Sequence, residues 1–319
     1  MTMEPKVIAI LCADIHLSHK PPIWRSNEPD WYVAMSRPLY EIGELQEKYE
    51  CPVLCAGDIF DKWNSPAELI NWAMIHLPKE MYSIPGQHDL PEHDYKQLYR
   101  SAYMSLVRGR CVRDMFELMC PPLRTFNMNA VPFGWKLKSV PKELKKIKWV
   151  KNIAIVHDYV WYGKAKYPNA PKEKEIPKGI KKPNKHMVNG KYYGYDVIVF
   201  GDNHKSFLTH IGKTIIFNCG TLMRRKSDEV DYKPQVGLLY SDGSVKPHYL
   251  DISKDKHLTA DEAKDAEALE EVDMVMFAEE LRKLGSSALD FSESMKQFWT
   301  KNKTPQKVKD IILKAMVMK

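Results

Sequence analysis

Short apolar runs recur along the first 220 residues, and polar stretches separate them. Runs of this length and character are typical of strands that are buried inside a sheet. We therefore predict buried strands at six places: VIAIL (7–11), PVLC (52–55), MYSI (81–84), NIAIV (152–156), DVIVF (196–200) and TIIFN (214–218).

Helical segments lie between the early strands, at residues 31–49 and 65–77. The second begins with a capping signal, because Ser65 can cap a helix, Pro66 suits its first position and Glu68 follows three residues after Ser65. Strands that alternate with helices predict an α/β domain.

The stretch QVGLLYSDGSVKPHYLDI (235–252) has a different pattern, with two strand-like halves on either side of Asp242-Gly243. An Asp-Gly pair in this position is a strong hairpin signal. The hairpin predicts an antiparallel edge, and therefore a sheet of mixed strand direction.

Helix formers dominate from about residue 253, so we expect a main domain at 1–252 and a helical C-terminal extension at 253–319. Predicted helices cover 261–284 and 304–319. The second has an apolar stripe at helical spacing: Val308, Ile311, Ile312, Ala315 and Met316. This face either packs on the main domain or binds a partner, and the sequence leaves both open.

Length and composition fit a globular chain, since 319 residues with 44% hydrophobic content can bury a sizeable core. No apolar run approaches the roughly 18 residues of a membrane helix, and the N-terminal stretch differs from a signal peptide. We expect a cytoplasmic protein that does not bind membranes. The six cysteines lie mostly far apart in apolar surroundings, which predicts buried, reduced thiols.

The net charge of +7 becomes informative once it is located. Residues 136–191, a lysine-rich insert, hold 16 lysines and four acidic residues, a local excess of 12 positive charges. Such a block attracts a polyanion by releasing its counterions, and nucleic acid is the commonest polyanion available. The alternative is a solvated loop that serves solubility.

Metal-ligand residues follow nearly every predicted strand. Ligands of open α/β sheets bind beyond the carboxyl ends of the strands, so clusters that are distant in sequence would converge there. One cluster alone is weak evidence, but five in order indicate a site. The clusters are Asp14 with His16, Asp58 with Asp61, Gln87-His88-Asp89, His157-Asp158, and Asp202 with His204.

These clusters resemble the signature of the calcineurin-like metallophosphoesterases, which reads Asp-x-His, Gly-Asp-x-x-Asp, Gly-Asn-His-Asp/Glu, a lone His and Gly-His-x-His. The resemblance covers residues 7 to about 250 and implies a four-layer α-β-β-α sandwich with mixed sheets. Within that superfamily, GDIFDKWNSP, IPGQHD and NCGTLMRR are most similar to SbcD-type nuclease subunits of bacteria and phages. Those subunits pair with each other and work with an SbcC-type ATPase.

Splitting a phosphate ester in this way requires two divalent cations, about 3.5 to 4 Å apart, with one bridging carboxylate. The resemblance implies that Asp58 is the bridge and that His88 is the catalytic residue, which stabilises the phosphate or protonates the leaving oxygen. Asp61 and Asp89 are expected to orient histidines and loops. The remaining implied ligands are Asp14, His16 and His204 for metal one, and Gln87, His157 and Asp202 for metal two.

Two positions depart from the family pattern, and both belong to metal two. Gln87 stands where Asn is usual, and Asp202 stands where the first His of the last motif is usual. The site becomes richer in oxygen, which favours Mn²⁺, our first expectation, or Mg²⁺ over softer ions. We hypothesise that metal two is the weaker, exchangeable ion; the competing interpretation is that it has been lost.

Three functions remain open: a DNA exonuclease or endonuclease, a small-molecule phosphoesterase acting on nucleotides or metabolites, and a non-catalytic scaffold. The first would serve DNA repair, recombination or phage DNA metabolism, in a bacterial cell or in the host cell of a phage. It gives the lysine-rich insert a role in DNA binding. The expected phosphate contacts are Lys164, Lys166, Lys181, Lys182 and Lys185, with Trp161, Tyr162 or Tyr167 as stacking groups.

Overall fold

The structure is a computed structural model, and it describes residues 4–116, 128–135, 150–176, 194–259, 261–262, 299 and 309. The strands are β1 (Val7–Cys12), β2 (Val53–Cys55), β3 (Met81–Ser83), β4 (Val112–Asp114), β5 (Met128–Phe133), β6 (Lys151–His157), β7 (Val197–Gly201), β8 (Phe207–Ile211), β9 (Thr214–Asn218), β10 (Gln235–Tyr240) and β11 (Val245–Tyr249). The α-helices are α1 (Trp31–Tyr49), α2 (Ala67–His76) and α3 (Ala102–Arg108). Short 3₁₀ helices are Ile23–Arg25, Pro91–His93, Tyr95–Arg100, Lys172–Lys174 and Ser227–Glu229.

The strands form two mixed sheets. The first has the order β11-β10-β1-β2-β3-β4, and the second has the order β5-β6-β7-β9-β8. In the first sheet β1 to β4 are parallel, and β10 is antiparallel to both of its neighbours. In the second sheet only β8 runs against the others. This mixed α/β fold confirms the predicted fold class.

All six predicted strands are present, as β1, β2, β3, β6, β7 and β9. The β10–β11 hairpin is also confirmed, and Gly243 in its turn has a φ of 90°, which favours glycine. The sequence pattern missed β4, β5 and β8. All three lie at sheet edges, where polar residues such as Arg113, Asn129 and His210 interrupt the apolar run.

The first two α-helices lie where the sequence predicts them, but the predicted N-terminal cap of the second is not formed. The α1 helix is the one predicted at 31–49, and Asp30 caps it by accepting a hydrogen bond from the Val33 amide (3.1 Å). The predicted cap of α2 is wrong, because the helix follows Pro66 without any side-chain cap. Ser65 Oγ instead donates to the Lys62 carbonyl (2.9 Å), so it closes the preceding loop.

Three apolar layers hold the sheets in place. The first lies between the first sheet and the helices, where Ile10 packs with Met35. The second lies between the two sheets and includes Leu11 and Ile155. The third covers the other face of the second sheet around Phe200. Successive residues of β1 thus enter different layers, as a strand covered on both faces requires. The fourth, helical layer that the resemblance implies stays a prediction, because the described residues contain no complete α-helix after Arg108.

The chain divides into two compact units. The first comprises Met1–Pro22 and Glu28–Lys256, and the second comprises Ile23–Asn27 and His257–Lys319. In the second unit the rings of Trp24 and His257 stack, with centroids 5.1 Å apart. The predicted helices at 261–284 and 304–319 fall largely outside the described residues, so the domain boundary at 252 stays a prediction. None of the helices that the structure describes has the length and apolar character required to cross a bilayer.

The described cysteines are free thiols, and all except the partly exposed Cys111 are buried. Burial raises the pKa of the Cys51 thiol to about 11, so it stays protonated at neutral pH. The prediction of buried, reduced thiols holds for four residues, and Cys120 lies outside the described residues.

Candidate metal centre

The predicted clusters lie at the carboxyl ends of parallel strands. The strands β1, β2, β3, β6 and β7 end at or within four residues of Asp14, Asp58, Gln87, His157 and Asp202, respectively. Hydrogen bonds connect the loops of the two sheets, because the Asp202 amide donates to both carboxylate oxygens of Asp14 (3.0 and 3.2 Å). Residues almost 200 positions apart are thereby brought together.

Four of the candidate metal ligands have a left-handed backbone, with φ of 50° at Asp14, 49° at His16, 55° at Asp58 and 85° at Asp202. This conformation costs roughly 1 to 2 kcal/mol for a residue with a β-carbon. The Gly86 backbone approaches the Asp58 carboxylate so closely that a β-carbon there has no space. The strained positions coincide with the candidate ligands, as is common where a functional site dictates side-chain direction.

The ligand atoms of seven side chains form one continuous cluster. In each of three groups, the ligand atoms lie within 4.8 Å of one another. The groups are Asp14, His16 and His204; Asp14, Asp58 and His157; and His16, Asp61 and His88. Asp14 and His16 each belong to two groups, so the structure gathers all the residues assigned to metal one beside Asp58 and His157.

Asp58 lies between the two sets of implied ligands. Its Oδ2 is 3.7 Å from His16 Nε2, on the side of metal one, and 3.3 Å from His157 Nε2, on the side of metal two. Its other oxygen accepts a hydrogen bond from the His88 amide (2.8 Å). This position suits the predicted bridging carboxylate.

Divalent cations fit these residues because buried acceptor atoms face one another. The Nδ1 of His157 donates to the Ala56 carbonyl (2.7 Å), so in the neutral ring the lone pair is on Nε2. Neither that Nε2 nor Asp58 Oδ2 has a hydrogen-bond partner, although both atoms are buried. The Nε2 atoms of His16 and His204 are 3.0 Å apart, close to the separation of adjacent ligands with metal bonds of about 2.1 Å.

Burial and neighbouring charges shift the pKa values of the candidate ligands. Burial, together with the Asp58 carboxylate, raises the pKa of Asp14 to about 8. Burial also lowers the pKa of His204 to about 4, helped by Lys226. Burial lowers the pKa of His157, but the Asp58 carboxylate outweighs it and leaves that pKa well above its usual value. The site therefore retains protons that a cation would displace.

Metal binding should strengthen as pH rises, most steeply below pH 8. Asp14 must lose its proton to coordinate a cation, and with a pKa of about 8 it is mostly protonated at pH 6 and ionised at pH 9. We expect the affinity for Mn²⁺ to rise by at least about tenfold per pH unit between pH 6 and 8, because His157 must also release its proton, and to rise less steeply once Asp14 is ionised. Calorimetry in buffers of different ionisation enthalpy measures both affinity and proton release. A pH-independent affinity from pH 6 to 9 would contradict this assignment.

The two residues that depart from the family pattern contact each other. Gln87 Nε2 donates a hydrogen bond to Asp202 Oδ1 (2.9 Å), which links the loop after β3 with the loop after β7. Among the described residues, Asp202 joins none of the three ligand groups. The structure thus places Gln87 and Asp202 beside the cluster, and their assignment to metal two stays a prediction.

A histidine at position 202 should change the ion preference of one site only. Carboxylate oxygen favours Mn²⁺ or Mg²⁺, whereas imidazole suits Zn²⁺. We expect Asp202→His to shift the preference of the weaker-binding ion toward Zn²⁺ by about tenfold. The tighter ion serves as the internal control and should keep its preference. Metal titration followed by elemental analysis measures both, and a wild-type chain that binds one ion at saturating Mn²⁺ would contradict the two-ion assignment.

His88 is oriented by the loop that follows β2. Its Nδ1 donates to the Asp61 carbonyl (2.8 Å), which leaves Nε2 for a substrate. The ring lies edge-on to His16, with centroids 4.8 Å apart. Asp89 accepts hydrogen bonds from the Ile59, Phe60 and Gly86 amides, at 3.2, 3.1 and 3.0 Å, so it ties together the loops of Asp58 and His88. Asp61 and Asp89 thus lie where they orient neighbouring ligands.

Two residues beside the cluster escaped the sequence reasoning. Arg225 Nη1 donates to Asp61 Oδ1 (2.8 Å), and Glu229 lies 3.9 Å from His204 Nδ1. Glu229 also accepts hydrogen bonds from the Arg225 and Lys226 amides (2.6 and 3.1 Å). Arg225 belongs to the NCGTLMRR motif, which was a usable signal. Nothing in the sequence distinguished Glu229.

The segment after β6 carries part of the lysine-rich insert. Lys164 and Lys166 are exposed, and the Lys166 ammonium lies 4.7 Å from the centre of the Trp161 ring. Trp161 is buried and its indole donates to the Pro171 carbonyl (2.8 Å), so the prediction of Trp161 as a stacking group is wrong. Tyr167 is 45% exposed and stays a candidate. Lys181, Lys182 and Lys185 lie outside the described residues, as does most of the insert.

Tyr162 is only partly buried, packs against the outer core of the second sheet and faces Phe207, with centroids 6.3 Å apart. Among the three predicted stacking groups, the exposed ring is therefore that of Tyr167, which also contacts Tyr159 at 4.5 Å between centroids.

Two mixed sheets and a buried cluster of carboxylates and imidazoles are the parts that a metal-dependent hydrolase requires. A model of the family described as calcineurin-like phosphoesterase matches residues 9–206, more than half of the chain. The chain belongs to this family, which uses two divalent metal ions.

A comparison with solved structures also found similar chains. An archaeal phosphodiesterase is 11% identical with a TM-score of 0.36, and the match covers 76% of this chain and 99% of that one. A metallophosphoesterase from Sphaerobacter thermophilus is 12% identical with a TM-score of 0.37, covering 77% and 89%. The Haemophilus influenzae NAD nucleotidase is 15% identical with a TM-score of 0.36, covering 83% and 56%. No curated protein matched the sequence. Since these TM-scores are below 0.5, the assignment rests on the family model.

Proposed function

We propose that this protein is a two-metal-dependent DNA nuclease of SbcD type. It would act as an exonuclease or endonuclease in DNA repair, recombination or phage DNA metabolism, in the cytoplasm of a bacterium or of a phage host. The family supplies the phosphoesterase chemistry. The choice of DNA rests on one structural observation, the attachment of a basic loop to the metal centre.

That attachment is made by Asn203, which lies between Asp202 and His204. Its Nδ2 donates to the Val160 carbonyl (2.7 Å) and to the Ala165 carbonyl (2.9 Å). The loop that carries Lys164 and Lys166 is therefore fastened to the metal-binding motif itself. Its lysines and the Tyr167 ring are exposed, so they are available to a polyanionic strand that is bound at the metal centre.

The chain's own residues account for the other parts of the reaction. Bound divalent ions activate water and neutralise the charge that develops on the phosphate. Water adds to phosphorus, the ester bond to the leaving oxygen breaks, and that oxygen takes up a proton. His88 can donate this proton from Nε2 when its ring is in the doubly protonated imidazolium form, because its Nδ1–H is held by the Asp61 carbonyl. Asp89 keeps the two loops at the required separation.

We extend the proposal to partners: an SbcC-type ATPase and a second copy of this chain. Support comes from the resemblance of GDIFDKWNSP, IPGQHD and NCGTLMRR to SbcD-type subunits. Light scattering of the purified protein tests the homodimer. We expect twice the 37.1 kDa mass of one chain, and a monomer at micromolar concentration would argue against pairing.

Salt dependence tests DNA against a small-molecule substrate. In EDTA, fluorescence anisotropy with a single-stranded oligonucleotide should give an affinity that falls steeply with salt, since each phosphate contact contributes about 0.7 to the logarithmic slope. We expect a slope of about 3 or more for several contacts. No binding at 50 mM salt, with ready hydrolysis of nucleotides, would favour the small-molecule phosphoesterase. Bound metal without hydrolysis of any ester would favour the scaffold.

A further inference from the structure

A separate cavity of about 460 Å³ opens beside the metal centre. Its walls come from residues 17–22, from residues 61–66 except Trp63, and from Arg225. Both loops leave directly from metal-binding motifs and run side by side, since the Leu17 amide donates to the Ile59 carbonyl (2.8 Å) and the Asp61 amide donates to the Leu17 carbonyl (2.9 Å). The cavity is large enough for one nucleotide unit.

The charged groups of this cavity are mostly positive. Lys20, Lys62 and Arg225 line it together with one carboxylate, that of Asp61. That carboxylate is already engaged by Arg225 Nη1 at 2.8 Å. In the part of the chain that the structure describes, neither Lys20 nor Lys62 has an ion-pair partner, and both residues are exposed. Two ammonium groups thus remain for an anionic ligand.

The cavity and the metal centre share a wall. Asp61 Oδ1 is 3.7 Å from His16 Nδ1, and the Asp61 carbonyl accepts the hydrogen bond of His88. A strand whose scissile phosphate lies at the cluster therefore has the cavity immediately beside it. Arg225 closes the boundary by holding the Asp61 side chain.

We propose that this cavity is a second phosphate site, which binds the phosphate next to the one that is hydrolysed. Lys20 and Lys62 contact that phosphate, and Arg225 is a positioning residue that keeps Asp61 away from it. The inference rests on the proposed DNA nuclease function and refines its substrate class: the protein favours strands with consecutive phosphodiesters over esters that have a single phosphate.

The test compares Lys20→Ala/Lys62→Ala with a matched control, Lys6→Ala/Lys213→Ala. The control removes the same charge at the amino-terminal ends of two strands, opposite the ends that carry the metal ligands, since Lys6 precedes β1 and Lys213 precedes β9. KM and kcat are measured on a single-stranded oligonucleotide and on bis(4-nitrophenyl) phosphate, which has one phosphate. Affinity for the oligonucleotide is also measured in EDTA over a range of salt concentrations.

For Lys20→Ala/Lys62→Ala we expect KM on DNA to rise about tenfold with kcat changed less than about twofold, and the small diester to be unaffected. The logarithmic salt slope should decrease by about 1.4, the share of two phosphate contacts on a single strand. A KM and slope equal to those of the control would overturn the second site and leave the nuclease proposal intact. Equal losses of activity on both substrates would show that the two lysines act through the metal centre. That result would also overturn the second phosphate site. A wild-type protein that neither binds nor cleaves DNA would overturn both proposals.

Discussion

Asp58→Asn is expected to lower phosphodiester hydrolysis by about a thousandfold or more. The Oδ2 of Asp58 lies 3.7 Å from His16 Nε2 and 3.3 Å from His157 Nε2, so one buried oxygen serves both sets of ligands. Asparagine keeps an acceptor for the His88 amide but loses the negative charge that holds two cations together. We expect kcat to collapse and the number of bound Mn²⁺ ions to fall from two to one or none.

The matched control for this change is Asp242→Asn, which makes the same substitution in the exposed β10–β11 turn. It should retain wild-type activity and stoichiometry, because an asparagine oxygen still accepts from the Ser244 amide. Retention of two ions and of more than about a tenth of the activity in Asp58→Asn would remove Asp58 from the bridging position.

His88→Ala is expected to lower kcat on DNA by about 10²- to 10⁴-fold, the usual contribution of a general acid. The loss should be much smaller on bis(4-nitrophenyl) phosphate, because nitrophenolate leaves without needing a proton. Metal stoichiometry should remain at two, since the implied ligands of both ions are other residues. Steady-state kinetics on the two substrates and a metal count measure these expectations.

His210→Ala, an exposed histidine on the edge strand β8, is the control for that variant and should leave both substrates unaffected. Equal losses on the natural and the activated ester would show that His88 does not protonate the leaving oxygen. Stabilisation of the phosphate would then be its remaining role.

Most of the site's location follows from the sequence because of how sheets are built. Parallel strands bring their carboxyl ends to one edge, so residues that follow buried apolar runs must meet there. Asp14, Asp58 and His157 are buried at that edge, as expected from such runs. The order of the strands and the pairing of the sheets did not need to be known.

Other features depend on contacts that no local pattern encodes. Gln87 and Asp202 are separated by 115 residues and lie on loops of different sheets, so their mutual hydrogen bond required the three-dimensional arrangement. Glu229 approaches His204 from a short helix beyond β9. The burial of Trp161 also depends on a tertiary contact, because its indole donates a hydrogen bond to the Pro171 carbonyl.

The scaffold interpretation has to explain why the site is organised beyond what folding requires. Left-handed backbones at Asp14, His16, Asp58 and Asp202 cost free energy, and so does the burial of the Asp58 carboxylate beside the imidazoles of His16 and His157. A protein that used only the fold would gain stability by losing these features. Their presence favours a site that still binds cations.

The proposed cleavage of DNA at this metal centre is tested by comparing kcat/KM in Mn²⁺ for linear DNA, a nucleoside monophosphate and bis(4-nitrophenyl) phosphate. We expect the wild-type protein to cleave DNA with kcat/KM at least about 100-fold above either small ester, and we expect Asp58→Asn to abolish the cleavage. Turnover of the small esters with intact DNA, or DNA cleavage that persists in Asp58→Asn, would contradict the proposed function.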